Sequence, residues 1–251
     1  MRQEEIFREK NIAQVHNSEC ATLQHPAFPS TGGIARIFRR DGGTQISCGP
    51  HIPGFAEFPR LAGKRVLEIG CGIGTDMFNF ARAGARVTAV DLSEKSLELA
   101  RRRAEVFGLA DRIDFRAADA ERLSEEIPPE PYDLIYSFGV IHHTPNPERV
   151  AEQVHRHFVH AESEFKLMVY NRRSWKVFWI LLAEGKGAFW KLDELVARNS
   201  EAQTGCPVTY TYTPASVRTL LRGFRIEWMF IDDIFPYRIQ DYVHSRYIKI
   251  W

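Results

Sequence analysis

Residues 66–76 read VLEIGCGIGTD, and the interpretation of the whole chain starts from this stretch. The apolar run over 65–69 is typical of a buried strand, and it stops at three glycines on alternate positions. A helix-forming segment from Met77 to Ala83 follows and ends at Gly84. Strand, glycine turn and helix together predict the opening of a nucleotide-binding α/β unit, in which bare backbone lies close to a ligand.

The spacing of the glycines argues against a dinucleotide cradle. A dinucleotide fingerprint requires glycine at its first, third and sixth places, and the sixth place is Thr75 in this chain. The third glycine comes one position early, at Gly74, and Glu68 lies beside the loop as an acceptor for a ligand rich in hydrogen-bond donors. A nicotinamide-dependent oxidoreductase is therefore disfavoured.

Composition limits the classes of partner. The 251 residues carry 33 Lys and Arg against 32 Asp and Glu, a formal net charge of +1, so charge gives no case for nucleic acid or an anionic membrane as the main partner. The four cysteines are scattered without metal-ligand spacing, which predicts no metal site and reduced thiols in the cytoplasm. No run approaches the roughly 20 apolar residues of a membrane span.

The chain divides into two predicted parts. Residues 1–62 form an N-terminal extension, with a helix from about Glu4 to Ser18 and then a stretch from His25 to Gly54 that is rich in Gly, Pro and Ser. Long irregular segments in compact domains are often functional, so we expect a cover over a site; the alternative is a packed extension. Residues 63–251 form the second part.

Strands and helices alternate through the second part. The predicted strands after the first are Arg86–Val90, Arg112–Ala117, Tyr132–Ser137 and Phe165–Tyr170. One helix begins after Ser93 and stops at Gly108, and another runs from Pro147 to His157. Repeated βα units of this length predict a Rossmann-like, doubly wound and mostly parallel sheet with helices on both faces.

The alternation breaks after the fifth strand. A helical insert is predicted at about 174–212, followed by a helix that opens at Thr213-Pro214 and a strand from Phe224 to Ile231. Tyr242 to Ile250 is a candidate for the last strand. Without such a strand one edge of the sheet stays open, and an open edge favours pairing with another chain, so an oligomer is one possible state.

Four segments resemble one enzyme family. They read EIGCGIG at 68–74, VTAVDLS at 87–93, ADAE at 118–121 and YDLIYSFGVIHH at 132–143. Their residues and their order resemble the class I S-adenosylmethionine-dependent methyltransferases, especially the broad small-molecule group called type 11. The likeness covers about residues 63–170 and continues more weakly to Ile231.

The resemblance implies S-adenosylmethionine as cofactor and S-adenosylhomocysteine as product. It places backbone at Gly70 and Gly72 against the methionyl part, Asp91 on both ribose hydroxyls and Asp119 on the adenine amine. An alternative role for Asp119 is an Asx-turn, whereas helix capping by Asp91 is disfavoured because Ser93 fills that position. The full set of cofactor-binding residues implied is Glu68, Gly70, Cys71, Gly72, Asp91, Leu92, Asp119, Ala120 and Ser137.

Methyl transfer from a sulfonium is an in-line displacement, which depends mainly on holding the acceptor in position. A general base is needed only when the acceptor must lose a proton, and His142 and His143 are the candidates. Their alternative role is packing and hydrogen bonding. Tyr170, Tyr210 and Tyr212 are the candidate substrate contacts, and we expect a small organic acceptor. Two other functions stay open: a non-catalytic cofactor-binding subunit or partner protein, and an RNA or protein methyltransferase.

Overall fold

The computed structural model of the protein describes residues 52–183, 185, 187–199 and 208–229. Within them lies a five-stranded sheet in the order β3-β2-β1-β4-β5, in which every pairing is parallel. The strands are β1 Arg65–Ile69, β2 Arg86–Asp91, β3 Ile113–Ala117, β4 Leu134–Phe138 and β5 Glu164–Met168. The predicted fold class, a doubly wound parallel sheet, is confirmed.

Helices connect the strands and cover both faces of the sheet. The α-helices are α1 Ile52–Ala56, α2 Thr75–Arg82, α3 Glu94–Phe107, α4 Leu123–Glu126, α5 Pro147–His157, α6 Trp175–Ala183, α7 Leu192–Asn199 and α8 Pro214–Leu220. Short 3-10 helices occupy Phe58–Leu61, Ala110–Arg112, Ala120–Arg122, Ile141–His143 and Phe189–Lys191. The predicted bounds of α5 are confirmed to the residue.

Local signals in the sequence explain where α3 begins and ends. The side chain of Ser93 accepts a hydrogen bond from the Ser96 backbone N–H at 3.2 Å, which satisfies one of the open donors of the first turn. Gly108 ends the helix in the left-handed conformation with φ 65°. The helix α8 starts with a capping box between Thr213 and Ser216.

The strands alternate between two apolar layers. Val66, Ala89 and Tyr136 pack with α2 and α3 on one face, while Leu67 and Ile135 pack with α5 on the other. Glu68 and Asp91 share the parity of the first set, so they point to the face that α2 and α3 cover. Glu68 and Asp91 therefore lie on the same face of the sheet.

The order of the strands places a ligand site. The first strand β1 lies in the centre, with β2 on one side and β4 on the other, so the chain reverses its direction of travel across the sheet between them. In open α/β sheets ligands bind outside the carboxyl ends of the strands at such a switch point. The glycine loop that follows Ile69 lies at this point.

Residues 52–61 are fastened to β5, which is an edge strand of the sheet. Lys166 on β5 is buried, and its ammonium donates to the Phe55 carbonyl at 2.8 Å and to the Glu57 carboxylate. The Phe58 ring lies edge-on to Phe80, with ring centroids 4.7 Å apart. This part of the predicted extension packs on the domain; residues 1–51, where the predicted helix and most of the predicted cover fall, lie outside the described residues.

The predicted strand bounds differ from the structure by one or two residues, and one predicted strand is not formed over its described part. The fifth strand ends at Met168, not at Tyr170, because the chain there turns to bridge Asn171 with Tyr212. The predicted strand Phe224–Ile231 is wrong over its described part, since 225–229 pair with no described strand. Phe224 instead packs against Phe165, with ring centroids 5.3 Å apart, so burial explains its apolar character. The candidate last strand, Tyr242–Ile250, lies outside the described residues.

The insert is helical as expected, with α6 and α7 packed together through Val177, Ile180, Leu192 and Val196. Among the described residues no helix combines the length and the apolar character needed to cross a membrane. The division of the chain at 62/63 stays a prediction.

Candidate functional site

The glycine loop after β1 is held against β2. The backbone N–H groups of Gly70 and Cys71 both donate to the Val90 carbonyl, at 2.7 and 3.0 Å. Gly70 has φ 77°, and a Cβ atom built on it would lie 2.3 Å from a methyl carbon of Val140. Both the conformation and the lack of space require glycine at this position.

Asp91 joins the loop to the helix after β2. Its Oδ2 accepts from the Gly72 backbone N–H and its Oδ1 from the Ser93 backbone N–H, both at 2.8 Å. The side chain is buried, and burial raises its pKa, while the backbone N–H groups of Ser93, Gly72 and Leu92 act in the opposite direction. The structure therefore joins Asp91 directly to Gly72, and half-buried Leu92 follows Asp91 in the chain.

Glu68 and two residues that were not among the predicted site residues, Asp76 and Tyr136, form a second polar group under the loop. Glu68 pairs in register with Tyr136 on β4, and the Tyr136 hydroxyl donates to Asp76 Oδ2 at 2.8 Å. Burial raises the pKa of Glu68 well above its usual value, and the charges of Asp76 and Asp91 add to this. Burial also raises the pKa of Asp76, against the effect of the Tyr136 hydrogen bond.

Signals for Asp76 and Tyr136 were present in the sequence. Asp76 ends the stretch 66–76, and Tyr136 lies in the strand motif YDLIYS at the position that pairs with Glu68. Tyr136 reads as one more apolar strand residue until the pairing is known. Its full burial also raises its pKa, so the phenol stays a hydrogen-bond donor.

Asp119 is half-buried at the end of β3. Its Oδ1 accepts from the Glu121 backbone N–H at 2.9 Å, which is the Asx-turn considered as its alternative role, and Ala120 begins the short helix beside it. The next acid, Glu121, accepts from both the backbone N–H and the side-chain amide of Asn146, at 2.7 and 2.9 Å. These bonds fix the loop after β3 against the start of α5.

Ser137 and Cys71 are buried close to the first strand. The Ser137 hydroxyl donates to the Ile69 carbonyl at 3.2 Å, so it joins β4 to the residue before the glycine loop. Cys71 is 6% exposed, in keeping with a small residue tolerated between glycines. Among the described residues no group of three or more His, Cys, Asp or Glu side chains is arranged to hold a metal ion.

The two histidines predicted as general bases and the three tyrosines predicted as substrate contacts lie close together. The His142 ring lies 4.1 Å from the His143 ring and 4.1 Å from the Tyr170 ring, centroid to centroid. The Tyr210 backbone N–H donates to the His142 carbonyl at 2.9 Å, and that of Tyr212 donates to the Tyr170 carbonyl at 2.8 Å. The segment 209–212 therefore closes over the ends of β4 and β5.

The two histidines differ in exposure. His142 is fully buried, whereas His143 is half-buried with its Nδ1 3.1 Å from the hydroxyl of Thr209. Among residues 209–212 only Tyr212 forms a bridge, to Asn171, and Thr209 and Thr211 are buried. Thr209 is thus a direct neighbour of His143.

Comparison with known proteins agrees with this geometry. Residues 66–160 match a family model described as a methyltransferase domain. The ubiquinone biosynthesis O-methyltransferase of Bordetella parapertussis is 42% identical over 90 residues, which are 36% of this chain and 36% of that protein. The protein of the same name from Pseudomonas aeruginosa is 38% identical over 96 residues, 38% of this chain and 40% of that protein. The chain thus spans well under half of the length of the curated relatives it matches.

Solved structures show the same fold over a longer span. Magnesium protoporphyrin IX methyltransferase from Synechocystis PCC 6803 with bound SAH is 17% identical, covers 88% of each chain and gives a TM-score of 0.58. A methyltransferase structure from Bacillus halodurans C-125, 20% identical, covers 69% of this chain and 68% of that one with a TM-score of 0.52. At this identity the likeness concerns the fold.

The matched family model describes a methyltransferase domain. The order of the sequence motifs, the order of the strands and the buried acid at the tip of β2 all fit that description. Residues 66–160 of this chain are therefore similar to methyltransferase domains, and the strand order of the parallel sheet agrees with that similarity.

Proposed function

We propose that the protein is an S-adenosylmethionine-dependent methyltransferase that transfers a methyl group to an O, N, S or C nucleophile of a small organic acceptor. The observation that carries the proposal is Asp91, which is buried at the tip of β2 and fastened to the glycine loop through Gly72. A carboxylate has about four acceptor sites, and the backbone N–H groups around Asp91 occupy only part of them, so capacity remains for a hydrogen bond from the ribose.

The other cofactor contacts follow from the same edge of the sheet. The bare backbone at Gly70 and Gly72 allows the methionyl part to lie close, and Glu68 offers a buried Oε2 to which no described residue donates a hydrogen bond. Leu92, Ala120 and Asp119 would border the adenine. The chemistry of this donor set fits a cationic amino acid joined to an unphosphorylated ribose, and a carboxylate at position 91 would repel a 2′-phosphate.

S-adenosylmethionine, when bound, supplies a methyl group that is already activated on a sulfonium. The chain must then hold the acceptor close to the methyl group and in line with it, which lowers the activation barrier by on the order of 7–11 kcal/mol at best. The positions of the three tyrosines support that role, because Tyr170 lies against the His142 ring, Tyr210 is bonded to the His142 backbone and Tyr212 to the Tyr170 backbone. Burial raises the pKa of both Tyr210 and Tyr212, so their phenols stay protonated.

His143 is the better candidate for a general base. It is half-buried, and the Thr209 hydroxyl lies 3.1 Å from its Nδ1, a contact that orients the ring of the one side chain type that titrates near neutral pH. Full burial of His142 favours a packing role for that residue. The relatives named above as ubiquinone biosynthesis O-methyltransferases make an oxygen acceptor the first class to test, since a phenol must lose its proton on methylation.

Two alternatives remain testable. A cofactor-binding protein without turnover would still depend on Asp91 for cofactor affinity, and substitution of His143 would change none of its measurable properties. An RNA or protein methyltransferase would require a basic face near the pocket, and the net charge of +1 does not favour it. The cytoplasmic location and an oligomer through an open sheet edge stay predictions.

Calorimetry with S-adenosylhomocysteine tests the cofactor, and a metabolite extract with isotope-labelled methyl donor, analysed by mass spectrometry, tests the acceptor. We expect binding by the wild type, loss of affinity in Asp91→Ala and a labelled small molecule. Asp114→Ala is the matched control, because Asp114 is exposed on β3 and pairs with Arg116. Absence of binding at millimolar ligand contradicts the proposal, and binding without any labelled product favours the non-catalytic alternative.

A further inference from the structure

Three buried carboxyl groups lie under the glycine loop on one face of the sheet. Glu68 pairs in register with Ala89 on β2 and with Tyr136 on β4, and Asp91 lies two residues beyond Ala89 on the same face. Asp76 approaches from the first turn of α2, where the Tyr136 hydroxyl holds it. Glu68, Asp76 and Asp91 are 5%, 8% and 8% exposed, so solvent screens none of them well.

The three carboxyl groups differ in how their charge is stabilised. Asp91 accepts from two backbone N–H groups at 2.8 Å. Asp76 accepts from the Tyr136 hydroxyl and lies at a helix N-terminus, where a negative charge is favourable. By contrast, no described residue donates a hydrogen bond to Glu68 Oε2. Glu68 is therefore the group of the three in which a negative charge costs most.

No positive charge in the described part of the chain offsets these acids. None of the ion pairs formed by its residues involves Glu68, Asp76 or Asp91. Arg103 on α3 donates to the Ile73 carbonyl and lies over the Phe78 ring at 4.9 Å. Burial lowers the pKa of Arg103 to about 10, which leaves it protonated, but no cation is among the groups that shift the pKa values of Glu68, Asp76 and Asp91.

The groups that face Glu68 are Asp76 from α2, Asp91 from β2 and Tyr136 from β4. Tyr136 stays protonated because burial and the nearby acids raise its pKa. The Glu68 carboxyl thus lies within the electrostatic influence of two acids, and the neighbouring Tyr136 hydroxyl donates to Asp76 instead of to Glu68. The site can therefore release one proton without breaking a hydrogen bond shown for Glu68.

We propose, resting on the function above, that Glu68 carries a proton before the cofactor binds and releases it to solvent when the ammonium of the cofactor's amino acid part arrives beside it. Charge balances in this step: one positive charge enters with the ligand, one leaves as a proton, and the carboxylate that remains pairs with the ammonium. Asp76 and Tyr136 are positioning residues, since they hold a fixed negative charge next to Glu68 and thereby set when its proton leaves.

Proton release is measurable by titrating S-adenosylhomocysteine into the protein in buffers of low and high ionisation enthalpy, such as phosphate and Tris, at several pH values. The dependence of the observed heat on the buffer counts protons exchanged. We expect release of up to about one proton per bound ligand in the wild type, with a dependence on pH, and release near zero in Glu68→Gln.

Tyr136→Phe tests the positioning role. Loss of its hydroxyl leaves Asp76 without its described donor, so we expect the pH profile of proton release to shift, a change that a merely structural role would not produce. The matched control is Tyr132→Phe, whose hydroxyl bonds Thr88 and Glu130 and whose ring belongs to the opposite face of the sheet. Its profile should match the wild type.

Asp76→Asn gives a second, nearly isosteric test if Glu68→Gln does not fold. Removal of the fixed charge makes ionisation of Glu68 easier, so less proton release is expected near neutral pH. Wild-type binding with no proton exchange at any pH overturns this proposal and leaves the methyltransferase proposal standing. Equal release from the wild type and Glu68→Gln also overturns it, and failure of the wild type to bind S-adenosylhomocysteine overturns both.

Discussion

The Gly72 backbone N–H donates to Asp91 Oδ2 at 2.8 Å, and this bond fastens the glycine loop after β1 to the tip of β2. The loop is therefore preorganised by the same side chain that is proposed to bind the ribose. Because this bond is already formed, the loop backbone needs no rearrangement when a ligand binds. The entropic cost of binding is lower for that reason.

Asp91→Ala should weaken S-adenosylhomocysteine binding by about 10-fold or more, because hydrogen bonds to a charged group are worth roughly 1.5–3 kcal/mol each. Isothermal calorimetry measures the affinity, and circular dichroism checks that the fold persists. Asp114→Ala should bind like the wild type. Unchanged affinity in Asp91→Ala would rule out the ribose assignment.

Gly70→Ala and Gly63→Ala form a matched pair, because both glycines have positive φ, at 77° and 75°. A Cβ on Gly70 would lie 2.3 Å from Val140, whereas nothing lies within 4 Å of a Cβ on Gly63. We expect a loss of about 1 kcal/mol in the free energy of unfolding for Gly63→Ala from the backbone alone. Gly70→Ala should cost roughly 1–3 kcal/mol more from overpacking. Urea unfolding measures both, and equal losses would contradict the close contact.

His143→Gln should lower kcat about 100-fold on an oxygen acceptor, with the affinity for S-adenosylhomocysteine retained, because a general base contributes roughly that much. Initial rates with the acceptor found by the labelling screen provide the measurement. His142→Gln should instead lower the free energy of unfolding, since its ring is fully buried between His143 and Tyr170. A full rate in His143→Gln would remove it as the base.

The stability of the protein should fall as the pH rises above the ordinary pKa of a glutamate, because burial and the charges of Asp76 and Asp91 raise the pKa of Glu68 in the folded state. The unfolded chain loses this proton first, so the stabilisation present at low pH is lost between the ordinary and the raised pKa. The loss amounts to about 1.4 kcal/mol for each pH unit that separates these two pKa values.

Glu68→Gln removes this dependence, so the variant should gain stability relative to the wild type as the pH rises. Urea unfolding at several pH values between about 5 and 8 measures the difference. The control is Glu98→Gln, because Glu98 is an exposed partner of Arg102 on α3 and should show little change with pH. A constant difference for Glu68→Gln across the series would argue against a protonated Glu68.

Lys166→Met should lower the free energy of unfolding by about 1–3 kcal/mol, because the buried ammonium binds the Phe55 carbonyl and the Glu57 carboxylate and so fastens 52–61 to β5. Lys64→Met removes an exposed pair with Asp133 at 3.1 Å and should cost less than about 1 kcal/mol. Thermal unfolding compares the two. A similar, small loss in both would show that the buried lysine does not hold this segment.

Periodicity and caps in the sequence predicted most of the elements of the sheet and its helices. Strand bounds differed by one or two residues, and α5 matched. The described part of the predicted strand Phe224–Ile231, residues 224–229, was mistaken for a strand. An apolar run has the same pattern whether it pairs with a neighbour or only fills a gap, as Phe224 does against Phe165.

The sequence by itself determined the glycine loop, the acid at position 91 and the order of the strand-end motifs, because each depends on local spacing. The tertiary structure decided which side chains meet: Tyr136 holds Asp76 beside Glu68, Thr209 orients His143, and Lys166 fastens Glu57. Such contacts join residues far apart in the chain, and strand register and burial, which no local pattern encodes, select them.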